Sequence, residues 1–233
     1  MSEHNISIII PCYNHGDTLA QSLESVRSQT CQPHEIIIID DGSDHPVSLE
    51  LGDRDKLTVI RTENRGAPAA RNRGFRASSG RYVIFWDADV IAKPDMLERL
   101  LRQLEKCEDA AYSYSHHWFG RKRMPAVPFD ESELRNRNYI HSTTLIRREA
   151  VIPWDESLRK FQDWDLWLTM ASEGKTGILV PEYLFTVIPR QDGMSSWLPR
   201  YSYREPFCRL PWIRKKVATY EQARHIIREK HRL

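Results

Sequence analysis

Tyr82-Val83-Ile84-Phe85-Trp86-Asp87-Ala88-Asp89 sets five largely apolar residues directly against two carboxylates. A continuous apolar run of this length reads as a strand buried on both faces, and such strands belong to mainly parallel sheets covered by helices. Residues i and i+2 of an extended segment point the same way, so Asp87 and Asp89 would crowd negative charge unless a cation sat between them. Hard divalent ions such as Mg²⁺ or Mn²⁺ favour oxygen ligands and usually keep a substrate phosphate as a partner. A turn with two solvated aspartates is the plain alternative for an isolated Asp-x-Asp.

The surrounding segments repeat the pattern. Ile6 to Pro11 reads as a buried strand stopped by proline, and Ile36-Ile37-Ile38-Ile39 as a second, ending in Asp40-Asp41-Gly42-Ser43-Asp44. Leu57 to Ile60 is a third strand. Helices are predicted over Asp17 to Thr30 and around Pro68 to Ala77. A further one starts near Pro94 or Asp95, where Leu97, Leu100, Leu101 and Leu104 share one face. This β-α-β-α alternation predicts an α/β fold whose ligands bind beyond the carboxyl ends of the strands. Three such ends, Pro11-Cys12-Tyr13-Asn14, Asp40-Asp41 and Asp87-Ala88-Asp89, should converge on one crevice. After Ala110 the pattern loosens: 121 to 138 reads as a loop, and 156 to 173 holds a helix with Asp163 at its start.

Charge is unevenly placed. The chain of 233 residues carries a formal +2, but from Trp197 to Leu233 ten Lys/Arg face three acids, leaving the rest acidic. Aromatic residues interleave with the basic ones there (Trp197, Tyr201, Tyr203, Phe207, Trp212), a composition suited to an anionic membrane interface; packing on the acidic body is the alternative. A basic helix is predicted from about Trp212 to Lys230. No apolar run approaches the roughly 20 residues of a membrane span, and no signal peptide is visible, so the expected location is cytoplasmic, with peripheral attachment to the inner face of the membrane as the alternative. The acidic body makes nucleic acid an unexpected partner. Cys12, Cys31, Cys107 and Cys208 are widely spaced and read as free thiols.

Each candidate site residue has a plain alternative. Neither G-x-G-x-x-G nor a Walker loop is present, so a nucleotide would be held by metal and side chains. Asp41 can accept from a base N–H or a ribose hydroxyl, or simply cap a turn at Gly42. Arg71 can reach a nucleotide or phosphate, while Arg73 and Arg76 read as a solvated helix face. Asp163 is either an N-cap or a general base, with Asp165 as its competitor. His116 and His117 read as ordinary histidines pointing to different sides.

Taken together, Ser7-Ile8-Ile9-Ile10-Pro11-Cys12-Tyr13-Asn14, Ile39-Asp40-Asp41-Gly42-Ser43, Asn64-Arg65-Gly66 with Ala70-Arg71-Asn72-Arg73-Gly74, Asp87-Ala88-Asp89 and Gln162-Asp163-Trp164-Asp165-Leu166-Trp167 resemble family 2 glycosyltransferases over residues 5 to 190. The resemblance implies a GT-A fold: a Rossmann-like, mainly parallel central sheet flanked by helices, here with a C-terminal helical basic extension. It implies a nucleotide-sugar-binding half over 1–110, an acceptor-binding and catalytic-base half over 111–196, and the basic aromatic extension over 197–233. It implies inverting transfer of a single sugar from a nucleotide-sugar, UDP-sugars first, to a glycan or lipid-linked acceptor in cell-surface glycan or polysaccharide assembly, with Mn²⁺ or Mg²⁺. By motif position Pro11, Tyr13 and Asp41 would contact the base and Asp87 the ribose or metal. Asp89 would be the principal metal ligand and Asp163 the catalytic base. The sequence departs from the family at Gln162, where a glutamate is usual, and by lacking a histidine near Arg190-Gln191-Asp192-Gly193; Gln191 or Asp192 are the possible substitutes. The competing classes are a non-catalytic sugar-nucleotide-binding or scaffold subunit and a nucleotidyltransferase. The latter would want a basic glycine-rich loop after the first strand.

Overall fold

The computed structural model describes residues 5–47, 56–189 and 211–233. The expectations for Gln191, Asp192 and the aromatic residues between 197 and 207 fall outside these.

Four parallel strands form one half of a single sheet. They are β1 (Ile6–Cys12), β2 (Glu35–Asp40), β3 (Leu57–Arg61) and β4 (Tyr82–Phe85), in the order β3-β2-β1-β4. β1, β2 and β4 are buried along nearly their whole length, which is why their sequences are continuous rather than alternating. Helices α1 (Gly16–Arg27), α2 (Ala67–Ala77) and α3 (Met96–Glu105) supply the flanking layers. α2 comes so close to β1 that Gly74 lies on Ile9, and a methyl group there would collide with it. α3 buries Met96, Leu97, Leu100, Leu101 and Leu104, the face predicted from their spacing.

The other half of the sheet is mixed. β8 (Leu145–Arg147) pairs antiparallel with β4 and with the ten-residue β6 (Ala110–Phe119). β6 runs parallel to the twelve-residue β9 (Thr176–Val187), and β5 (Val90–Ala92) closes that edge antiparallel to β9. The sheet thus continues unbroken across residues 110 and 111, and its parallel pairs are confined to β3-β2-β1-β4 and β6-β9. The stretch expected as a loop over 121–138 contains two short elements, β7 (Lys122–Met124) and α4 (Glu131–Asn136); Asp130 caps α4 by accepting from the Glu133 amide at 3.0 Å. α5 (Gln162–Ser172) packs on β6 through Trp167, whose ring lies 4.8 Å from that of Tyr112. α6 (Pro211–Lys230) ends the chain and buries Ile227 in the same cluster as Trp164 and Leu134.

Candidate active site

β1, β2 and β4 are parallel neighbours, so their carboxyl ends lie on one edge of the sheet, and the two aspartates at the end of β2 divide the work. Asp40 is buried and organises the following turn: it accepts from the Ser43 and Val47 amides at 2.9 and 3.1 Å and from Arg61 Nη1 at 2.9 Å. Burial pushes its carboxyl up, but these donors outweigh it and hold it below the ordinary range. Asp41 points into a cavity of about 210 Å³ that Thr62, Arg65, Ala69, Arg73 and Glu156 also line. It accepts from the Gly66 amide at 2.7 Å and the Arg65 amide at 3.0 Å, so it also shapes the loop before α2. Gly66 has φ +95° there, which glycine adopts readily. Tyr13 stands 44% exposed at the end of β1, and Pro11 lies in the strand opposite Ile39. A larger hollow of about 470 Å³ lies elsewhere, between α4 and the chain end, and contains none of these residues.

Asp87 is engaged by side chains at both carboxylate oxygens. Arg71 Nη2 donates to one of its oxygens at 2.8 Å and Ser142 Oγ to the other at 2.6 Å; His141 Nε2 lies 3.9 Å away. Burial pushes the Asp87 carboxyl up, yet Arg71, then His141 and Ser142, overcome it and hold it below the ordinary range. Each Asp87 oxygen thus accepts one side-chain hydrogen bond and keeps a further lone pair, and Asp89 is the second carboxylate of the pair. Asp89 sits half-buried just before β5, its carbonyl accepting from the Ile188 amide at 2.9 Å. Among the described residues no group of three or more His, Cys, Asp or Glu side chains is placed to hold a metal ion.

Arg71 itself is not an open cation. It is buried, stacks 4.4 Å above the Trp154 ring, and donates through Nη1 to Gln162 Oε1 at 3.1 Å as well as to Asp87. It bridges Asp87, just beyond β4, and Gln162, at the start of α5. Gln162, a neutral amide, serves as acceptor for that bridge.

Asp163 occupies the first turn of α5, where the helix dipole favours a carboxylate. The preceding Phe161 is left-handed (φ 57°, ψ 27°), a conformation that costs a bulky residue on the order of 1 kcal/mol and turns the chain sharply into the helix. Asn138 Nδ2 donates to Asp163 Oδ2 at 2.8 Å and the Trp164 amide to Oδ1 at 2.9 Å. Asn138 is fixed in turn by accepting from the Ile140 amide at 3.1 Å. Burial raises the Asp163 pKa above the ordinary range; Asp87 adds to this, while His141, the Trp164 amide and Arg71 act against it. A half-buried carboxylate with a raised pKa is a form that a general base can take. Asp165 is not a competitor for that role. It is buried against α6, where Lys230 Nζ lies 2.8 Å and His231 Nε2 2.7 Å from Oδ1.

Sequence reading missed Asn138, His141 and Ser142, which sit in an irregular segment with no periodicity to flag them. His141 accepts from the Thr143 amide at Nδ1 (3.0 Å), so its Nε2 carries the proton when the ring is neutral. Burial, with Arg71, lowers its pKa against the pull of Asp87 and Asp163. His117 lies 4.8 Å from it, centroid to centroid, stacks on Phe185, and is pushed down to about 2 by burial. His116 instead packs on Tyr183 and accepts from the Ala126 amide at 3.0 Å. Register shifts at Ser115/His116 and His116/His117 separate their surroundings.

The model of the family described as "Glycosyl transferase family 2" matches residues 7–152, well over half of the chain and every strand end described above except that of β9. The chain belongs to glycosyl transferase family 2. Among curated relatives of this family 2 chain, an uncharacterized glycosyltransferase of Rickettsia bellii is 35% identical over 198 residues, which is 76% of this chain and 28% of the relative. A cholesterol galactosyltransferase of Borreliella burgdorferi is 27% identical over 225 residues, 83% of this chain and 63% of the relative. This chain spans about a third of the length of the Rickettsia relatives it matches. Two solved structures share the GT-A architecture at 17% identity. Staphylococcus aureus TarS 1–349 with UDP-GlcNAc has a TM-score of 0.69, covering 92% of this chain and 66% of TarS 1–349. The mannosyltransferase PcManGT of Pyrobaculum calidifontis with GDP-Man and Mn²⁺ has 0.59, covering 82% of this chain and 58% of its own.

Proposed function

We propose that this chain transfers a single sugar from a nucleotide-sugar, a UDP-sugar first, to an acceptor hydroxyl with inversion at the anomeric carbon, the nucleotide held by residues 1–110 and the acceptor by 111–196. The observation that carries the reading is the Arg71 bridge. It ties Asp87, at the donor-side strand end, to Gln162, the residue beside Asp163. Asp41 and its cavity are available to read the base, with Pro11 and Tyr13 beside it at the end of β1. The donor set fits a divalent ion completed by substrate: Asp89 offers hard oxygen ligation, and the remaining positions would fall to diphosphate oxygens. Mn²⁺ or Mg²⁺ held there would neutralise the departing diphosphate.

Asp163 does the work at the acceptor. One oxygen is oriented by Asn138 and the other by the Trp164 amide, leaving lone pairs on both for the hydroxyl proton. As that proton moves to Asp163, the acceptor oxygen attacks the anomeric carbon from the face opposite the diphosphate, and the C–O bond to the phosphate breaks. Arg71 and Ser142 keep the Asp87 carboxylate charged and fixed, with His141 Nε2 3.9 Å from it. The Borreliella relative is named a cholesterol galactosyltransferase, which is in keeping with an acceptor hydroxyl on a lipid. The test is a panel of UDP- and GDP-sugars with Mn²⁺, Mg²⁺ or a chelator, read by nucleoside diphosphate release. A UDP-sugar should be cleaved slowly with metal and not with chelator; no release from any donor would refute the reading.

Among the described residues no helix is long and apolar enough to cross a membrane. The outward face of α6 exposes Arg214, Lys215 and Arg228 against Glu221 and Glu229, together with Ile226, which is 51% exposed. That composition supports peripheral attachment to an anionic leaflet. Sedimentation with phosphatidylserine liposomes should retain the full chain at low salt and release it at high salt; equal retention by neutral liposomes would argue against it.

A further inference from the structure

We infer that the end of the C-terminal helix is a clamp that positions the catalytic base. α6 does not pack evenly along α5. Its described polar and ring contacts to this part of the chain fall at three points that bracket Asp163. Lys230 Nζ reaches Asp155 Oδ2 at 2.7 Å, where the connection leading to α5 begins. The Tyr220 ring meets the Phe161 ring edge-to-face at 5.1 Å, at the left-handed residue immediately before the helix. Lys230 and His231 together hold Asp165, in the first turn.

Each of these contacts answers a cost that the helix start carries. Asp165 keeps only 5% of its side chain exposed, and a carboxylate so placed is strongly disfavoured without a partner. Phe161 adopts a backbone conformation that a bulky residue holds only when its surroundings fix it, and its ring is gripped by Trp164 at 5.8 Å on one side and Tyr220 on the other. Successive helical residues turn by about 100°, so Asp163 and Asp165 face in nearly opposite directions, one to the crevice and one to α6. Holding Asp165 therefore sets the rotation and height of Asp163. The chain end is itself anchored: Ile227 is fully buried and Arg135 Nη2 donates to the Arg232 carbonyl at 3.0 Å. Tyr220, Lys230 and His231 thus act through Asp165 and Phe161 as positioning residues, without touching substrate. The part of the sequence read as an appendage completes the acceptor side of the site.

This inference rests on Asp163 being the base, and the experiment separates the two. Full-length K230A/H231A, Y220A, K230R and D163N are compared with wild type in metal-dependent hydrolysis of the best UDP-sugar, in UDP affinity, and in amide hydrogen exchange over 159–166. K230A/H231A and Y220A should each lower kcat about tenfold or more, since small misplacement of a reacting group is costly. UDP affinity should stay within about twofold of wild type, exchange over 159–166 should rise, and K230R should restore kcat. Unchanged kcat despite faster exchange would overturn the inference. So would equal losses of kcat and UDP affinity, the pattern of a merely structural contact. Wild-type turnover in D163N would remove the base assignment itself and the inference with it, whatever the tail variants do.

Discussion

Asp163→Asn is expected to lower turnover of a UDP-sugar by roughly 10²- to 10⁴-fold, the usual contribution of a positioned general base, while leaving UDP affinity unchanged. Asparagine keeps the shape but cannot accept the acceptor's proton, and its amide nitrogen must face either Asn138 Nδ2 or the Trp164 amide, both donors. Wild-type protein should lose turnover on acidification above the ordinary aspartate range, because burial raises the Asp163 pKa; that limb should be absent from the variant's residual rate. Stability should change little, because two effects oppose each other. A carboxyl with a raised folded pKa stabilises the fold only below its unfolded pKa and loses that contribution as pH rises through the folded pKa. At neutral pH the ionised Asp163 is therefore a burden that the variant relieves, while its amide faces a donor, so its melting temperature should stay close to that of wild type. A variant that keeps wild-type turnover would remove Asp163 from the chemistry.

Asp87→Ala should have the largest effect on stability. It strips the buried Arg71 of its counter-ion and Ser142 of its acceptor, and breaking such a pair on one side typically costs about 3–5 kcal/mol. Denaturant unfolding should show the loss. Asp87→Asn, which still accepts from Ser142, should lose less. The double variant Asp87→Ala/Arg71→Met should recover much of the stability, because no lone charge remains, without recovering nucleotide binding. Asp87 has a depressed pKa, so its contribution is present above the unfolded carboxylate pKa and is lost only as pH falls through the lower folded value. Wild-type unfolding of Asp87→Ala would show that the Arg71 bridge is not the strut described here.

The parts of the molecule that could be read from sequence are those with one strong signal. β1, β2 and β4 are continuous apolar runs because both faces are covered, and α3 announces itself by its leucine spacing. β6 gave no such signal. Ser113 and Ser115 are buried in it, Ser113 Oγ donating to the Leu100 carbonyl at 2.8 Å, and its bulges break the alternation near His116 and His117. The carboxylates of the site were legible because strand ends and helix starts place them. Their partners were not: Ser142 reaches Asp87 across 55 residues and Asn138 reaches Asp163 across 25, from a segment without periodicity. Asp165 was ambiguous for a similar reason. Nothing local says that it meets His231, 66 residues away, and charges on a basic helix ordinarily read as solvated.

The account stands most directly on the stereochemistry of donor cleavage. A UDP-α-hexose accepted in the panel is incubated with Mn²⁺ and followed by proton NMR from the first minutes, before the released sugar mutarotates. Direct displacement predicts that the β-anomer of the free sugar appears first, together with UDP, and that both signals disappear in Asp163→Asn. Initial release of the α-anomer, or β-release undiminished in Asp163→Asn, would contradict it.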